Sequence, residues 1–87
     1  MAGELATFNR IASLNTTGQE ILTTISKGED RMVYLYNEGS EIVLYAASSG
    51  ASAFCRLPSG GSVTIPHNGV MWVKAASNTT DLTYWSS

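Results

Sequence analysis

The stretch Met32-Val33-Tyr34-Leu35-Tyr36, Asn37-Glu38-Gly39-Ser40, Ile42-Val43-Leu44-Tyr45-Ala46-Ala47 decides the fold. Two runs rich in β-branched and aromatic side chains flank a cluster of turn formers, which is the pattern of antiparallel strands joined by a short loop. Val33 and Leu35 fall on one face of the first run and Met32, Tyr34 and Tyr36 on the other. In the second run Ile42, Leu44 and Ala46 oppose Val43, Tyr45 and Ala47. A strand with one face in water shows polar residues at alternate positions, as Thr64 does between Val63 and Ile65. These two strands are apolar on both faces, so they lie centrally in a sheet or face a partner.

Working outward, Gln19 to Ile25 alternates with period two, and Lys27-Gly28-Glu29-Asp30 supplies a turn. Ala53 to Leu57 reads as a strand that Pro58 ends by removing a backbone donor. Ser62 to Ile65, Val70 to Ala76 and Leu82 to Trp85 read as further strands, with Asn68-Gly69 suited to a positive-φ turn. The expectation is an all-β chain, a small β-sandwich or jelly-roll-like fold of about seven short antiparallel strands. Residues 1–18 break the period. Leu5, Phe8, Ile11 and Leu14 suit neither a clean helix nor a clean strand, and Asn15-Thr16-Thr17-Gly18 closes the segment as a loop. The segment is read as an N-terminal arm ahead of a sandwich domain at 19–87. Two readings stay open: a first strand that folds into the chain's own core, or an arm that packs on an adjacent subunit.

At 87 residues a domain buries only about 60 to 65% of the surface its unfolded chain exposes, so the core is marginal. Small domains are reinforced by disulfides, a structural metal or oligomerisation. With one cysteine and one histidine there is no intramolecular disulfide and too few Cys or His ligands for structural zinc. Oligomerisation remains. Charged residues make up 14% of the chain, well below the roughly 25% of soluble domains, and such a surface is easily buried against a neighbour. Arg10, Lys27, Arg31, Arg56 and Lys74 are scattered singly and the net charge is −2. Direct nucleic-acid binding, which needs clustered cations, is not expected. Neither a basic leader with a long apolar core nor an apolar run of about 20 residues is present, so synthesis in the cytoplasm and no membrane contact are expected.

No pattern of catalysis stands out, and no cofactor is expected. His67 sits beside Pro66 in a turn, and no serine lies in a nucleophile-elbow context. Glu29-Asp30 and Glu38 with Glu41 read as solvated turn charges, too few for a calcium loop. Cys55 reads as a small core side chain. The aromatics carry more weight, because a β face with rings serves as an interface anchor or a stacking platform. Trp72 is assigned to the core. Trp85 is assigned to contact, and Leu5, Phe8, Ile11, Leu14, Tyr34 and Tyr36 join it as interface candidates.

The segment Ser62 to Thr83, with Pro66-His67-Asn68-Gly69, Val73-Lys74-Ala75 and Ser77-Asn78-Thr79-Thr80, resembles the closing strands of small tailed-bacteriophage virion proteins, and Leu35 to Leu44 is similar to their hairpin. The resemblance implies a non-enzymatic virion protein that decorates or cements a capsid, with the major capsid protein or another virion protein as partner. A homotrimer is the expected oligomer, because shell lattices offer threefold positions. The alternative it leaves open is a tail or head-fibre module that binds carbohydrate or a host receptor, with Trp85, Tyr84 and Tyr36 as the stacking surface.

Overall fold

Alternation along the chain becomes two stacked sheets. The computed structural model describes residues 9–22, 32–66 and 70–86. Its strands are β1 (Asn9–Leu14), β2 (Gln19–Leu22), β3 (Met32–Asn37), β4 (Val43–Ala46), β5 (Cys55–Leu57), β6 (Ser62–Pro66), β7 (Met71–Ala75) and β8 (Thr80–Ser86). One sheet, called A, runs β1-β8-β3-β6, and the other, B, runs β2-β7-β4-β5. Every pairing is antiparallel. Along the chain the strands alternate between the two sheets, with only the consecutive pair β4 and β5 kept in one sheet, which is jelly-roll topology. The expected all-β sandwich is therefore present, with eight strands among the described residues where about seven were expected. The two strands that are apolar on both faces, β3 and β4, each lie between two neighbours, as their pattern required.

The additional strand is β1, inside the segment read as an arm. It pairs with β8 through Asn9↔Tyr84, Arg10↔Thr83 and Ile11↔Leu82, then shifts register so that Leu14 meets Thr80. Ile11 and Leu14 both turn inward although they are three positions apart, because an extra residue is inserted between them. Ser13 takes up that insertion with φ 61°, a left-handed conformation uncommon for a residue with a Cβ. Asp81 Oδ1 holds it by accepting the Ser13 N–H at 2.9 Å.

Between the sheets lie Leu14, Val33, Leu35, Val43, Leu57, Met71, Val73 and Leu82, none more than 4% exposed. Ile11, Ile21, Tyr45, Val63, Ile65 and Tyr84 pack around them. Each fully buried side chain of this kind contributes about 1.5–3 kcal/mol.

One end of the sandwich is closed by hydrogen bonds. Asn37, the last residue of β3, is fully buried, and its side chain meets its complete bonding capacity. Nδ2 donates to Glu41 O at 2.6 Å and to Leu57 O at 3.0 Å, while Oδ1 accepts from Gly39 N at 3.2 Å and from the buried Thr80 Oγ1 at 2.9 Å. Its backbone donates to Gly61 O and accepts from Gly60 N. The bond to Leu57 on β5 ties sheet A to sheet B. Gly39 sits so close that an added Cβ would collide with Thr80 Oγ1 and the backbone nitrogen of Asp81.

Candidate binding face

Because Val33 and Leu35 turn inward, Met32, Tyr34 and Tyr36 turn outward from sheet A. On the neighbouring β8, Leu82 is buried and Tyr84 packs on the core, so Asp81, Thr83 and Trp85 face out beside β3. Register places Tyr34 between Trp85 and Thr64, and Tyr36 between Thr83 and Ser62. The Tyr34 and Trp85 rings stack with centroids 6.3 Å apart and planes 23° from parallel. Tyr36 and Met32 are the exposed large hydrophobic side chains among the described residues, at 36% and 38%. Aromatic rings, hydroxyls and few charges thus share one rigid face.

Among the described residues, charge on that face gathers around Arg10. Arg10 Nη2 meets Asp81 Oδ2 at 2.9 Å and its Nε lies 3.3 Å from Glu38 Oε2. Glu38 Oε1 also accepts from Thr83 Oγ1 at 2.8 Å. The Ser13 N–H, then the Arg10 charge, hold the Asp81 carboxyl below the ordinary range, outweighing the opposing effect of burial. Glu38 and Glu41, expected as solvated turn charges, are both engaged: Glu41 accepts from Ser77 Oγ at 2.8 Å and from Asn78 Nδ2 at 3.4 Å.

The sequence-based candidates separate accordingly. Tyr34, Tyr36 and Trp85 come together on the outer face of sheet A. Leu14 does not join them, because it is buried in the chain's own core, and Ile11 is half-buried on the same inner side. Leu5, Phe8, His67 and the Glu29-Asp30 pair lie outside the described residues. Tyr84 points away from Trp85 and Tyr36, as period two demands of adjacent positions, so these three form no common stacking surface. Trp72, assigned to the core, lies on the outer side of sheet B, since Met71 and Val73 take the inner positions. Its indole nitrogen sits over Gly18, where a Cβ would stand 2.7 Å away. Cys55, also assigned to the core, is exposed at the start of the short edge strand β5. It stands opposite Tyr45 in the β4–β5 register, and burial first, then this thiol, pushes Tyr45 above the ordinary phenol value.

Asn37 was read as a turn residue, and its role as a hub was missed. Its partners at 57 and 80 are remote in sequence, so no local signal could have shown them. Among the described residues no three His, Cys, Asp or Glu side chains gather in a way that could hold a metal ion. No helix among those residues is long and apolar enough to cross a membrane.

No protein-family model matches the sequence, and no curated protein does. Solved structures do share the fold. An RmlC-like cupin protein from Desulfovibrio desulfuricans superposes with a TM-score of 0.55 at 18% identity, over 97% of this chain and 76% of its own. NovW, a 4-keto-6-deoxy sugar epimerase from the novobiocin biosynthetic gene cluster of Streptomyces spheroides, superposes with a TM-score of 0.62 at 17% identity. That match covers 95% of this chain and 46% of the epimerase, so this chain spans less than half of that protein. At such identity the likeness is one of fold. It overturns the expectation of a capsid decoration or cement protein, and the tail or head-fibre version with it. These neighbours are a cupin protein and an epimerase, not virion proteins, and the pattern of strands and turns behind that expectation belongs to the jelly roll. The trimer inferred from threefold shell positions loses its basis as well.

Proposed function

We propose that this chain is a non-enzymatic jelly-roll binding domain that acts through the outer face of sheet A, not through the space between its sheets. The observation that carries this is the division of side chains. The interior positions are filled by aliphatic residues and Met71 that are nearly inaccessible, whereas Tyr34, Tyr36 and Trp85 gather outside on paired strands. Rings fixed on strands present large apolar area at low entropic cost, and their polar tips tolerate water when no ligand is bound. Such a face suits a flat, weakly charged surface with polar edges.

The epimerase neighbour supplies the competing reading, since that protein acts on a sugar. The test is to incubate the chain with a 4-keto-6-deoxy sugar in deuterated buffer and follow the sugar C–H signals by NMR. Epimerisation proceeds by proton removal and return, so an active chain would wash deuterium into the sugar. We expect no incorporation above the chain-free control. Catalysed exchange that disappears with Tyr45→Phe would overturn the reading and place chemistry at the Tyr45–Cys55 end of the sandwich.

A further inference from the structure

The outer face of sheet B carries a different chemistry, and we propose that it binds a small phosphomonoester whose charged group sits between Lys74 and Arg56. Met71 and Val73 take the inner positions of β7, Val43 and Tyr45 those of β4 and Leu57 that of β5, so Lys74, Leu44 and Arg56 turn outward. Register sets Lys74 beside Leu44 and Leu44 beside Arg56, one row across three strands. At about 4.8 Å per strand the backbones of Lys74 and Arg56 are roughly 10 Å apart. The lysine side chain brings the charges nearer. Its Nζ lies over the Phe54 ring, 4.4 Å from the centroid, and Phe54 stands two residues before Arg56. The ammonium thus crosses β4 to the side on which Arg56 stands.

Neither cation is neutralised by a carboxylate among the described residues. Arg56 is exposed and makes no ion pair there. Glu38 and Asp81 are bound to Arg10 on sheet A, and Glu41 is held by Ser77 and Asn78. Glu20 pairs in register with Trp72 on the other side of β7, and Lys74 turns away from it towards Phe54. A ring attracts the ammonium through its face but supplies no lone pair, so the Nζ–H donors stay open to an oxyanion. Charge complementarity then selects the ligand. A phosphomonoester carries about −1.5 to −2 at neutral pH and three acceptor oxygens, which answers two cations: the arginine fork takes two oxygens and the lysine meets the third as a point charge. A carboxylate brings one charge and leaves the second cation unanswered. Nucleic acids and anionic membranes are held by longer runs of cations, whereas this row ends at Arg56 on the edge strand. Half-buried Leu44 and Phe54 give an apolar floor for the rest of a small ligand.

The experiment is an NMR titration of the full chain with phenyl phosphate from about 0.1 to 20 mM, a range suited to a ligand held by exposed charges. Benzoate and inorganic phosphate run in parallel, with Arg56→Gln, Lys74→Gln and Ser62→Asp as variants. Arg56 and Ser62 are exposed, and circular dichroism checks the fold of all three. Phenyl phosphate should shift the signals of Leu44, Phe54, Arg56 and Lys74 and bind more tightly than either parallel anion. Arg56→Gln and Lys74→Gln should each weaken it by roughly fivefold or more, because each removes one partner of a charge-assisted contact. Ser62→Asp changes the net charge as much as they do, but on sheet A, and should leave binding within about twofold. No shift along this row, equal losses from Arg56→Gln and Ser62→Asp, or benzoate or inorganic phosphate binding as tightly as phenyl phosphate would each overturn the proposal. Shifts confined to Tyr34, Tyr36 and Trp85 would overturn it too, and would leave the reading of sheet A standing.

Discussion

Replacing Asn37 by alanine should nearly unfold the domain, although the residue touches no candidate ligand. The side chain makes four hydrogen bonds at the closed end of the sandwich. Two partners, Leu57 O and Thr80 Oγ1, are buried with it, and each buried polar atom left without a partner costs about 1–3 kcal/mol. Glu41 O and Gly39 N are partly buried and can recover water, so their loss adds about 0.5–1 kcal/mol each. The sum is about 3–8 kcal/mol. For 87 residues total stability is about 4–13 kcal/mol, so much of the margin goes. Urea unfolding followed by the fluorescence of Trp72 and Trp85 measures it. Thr80→Val supplies the control: it removes one bond and leaves Asn37 three, so it should cost about 1–2 kcal/mol. The double variant Asn37→Ala with Thr80→Val should then be less than additive, since the hydroxyl stranded by the first change is removed by the second. A midpoint shift for Asn37→Ala worth under 1 kcal/mol, or strict additivity with Thr80→Val, would refute the hub.

Leu14→Ala should destabilise by about 2–4 kcal/mol in thermal or urea unfolding, as for a buried leucine that leaves a cavity; a neutral result would remove β1 from the core. Gly39→Ala should cost more than 1 kcal/mol, because its new Cβ meets the Asp81 backbone as well as the Thr80 side chain; wild-type melting behaviour would show that the loop gives way freely. Asp81, with a carboxyl held below its unfolded value, adds stability that is present above the unfolded pKa and is lost as pH falls through the lower folded one. Asp81→Asn should therefore flatten the acid limb of a stability-against-pH curve below about pH 4, and an unchanged limb would count against the Ser13–Asp81–Arg10 contacts. Tyr45 should ionise above the free phenol value in an ultraviolet titration and move back towards it in Cys55→Ser, with burial keeping part of the shift.

The central strands were legible because their information is local. Alternation over Met32–Tyr36 set the faces of β3, and apolar residues on both sides of β3 and β4 pointed to central strands or to strands that face a partner. β1 escaped because the bulge at Ser13 inserts one residue and so breaks the period by which strands are recognised. Trp72 and Cys55 were misplaced for a related reason: bulk or softness was taken for burial, whereas position along the strand decides which way a side chain turns. The outer aromatic face was half legible. Tyr34 and Tyr36 share a face by sequence alone, but their junction with Trp85, and the exclusion of Tyr84, depend on which strand lies beside β3. Asn37 lay beyond sequence reading altogether, since its buried partners arrive from two other strands.

The strand order has a consequence in time as well as space. Arg10 meets Asp81 across 71 positions, and β2 pairs with β7, so strands made early wait for partners made late. Closing such long loops is slow compared with forming local hairpins. During synthesis at about 5–20 residues per second, β1 and β2 remain unpaired for several seconds before β7 and β8 are made. Over that interval Ile11 and Leu14 have no sheet to enter, and β3 and β4 have only β6 and β5 beside them, with their other edges open. The low charge that makes the finished surface easy to cover then gives the nascent chain little protection from its neighbours. Rapid dilution from denaturant should accordingly give folded protein at low concentration and aggregate at high concentration, with yield governed by the arrival of β8.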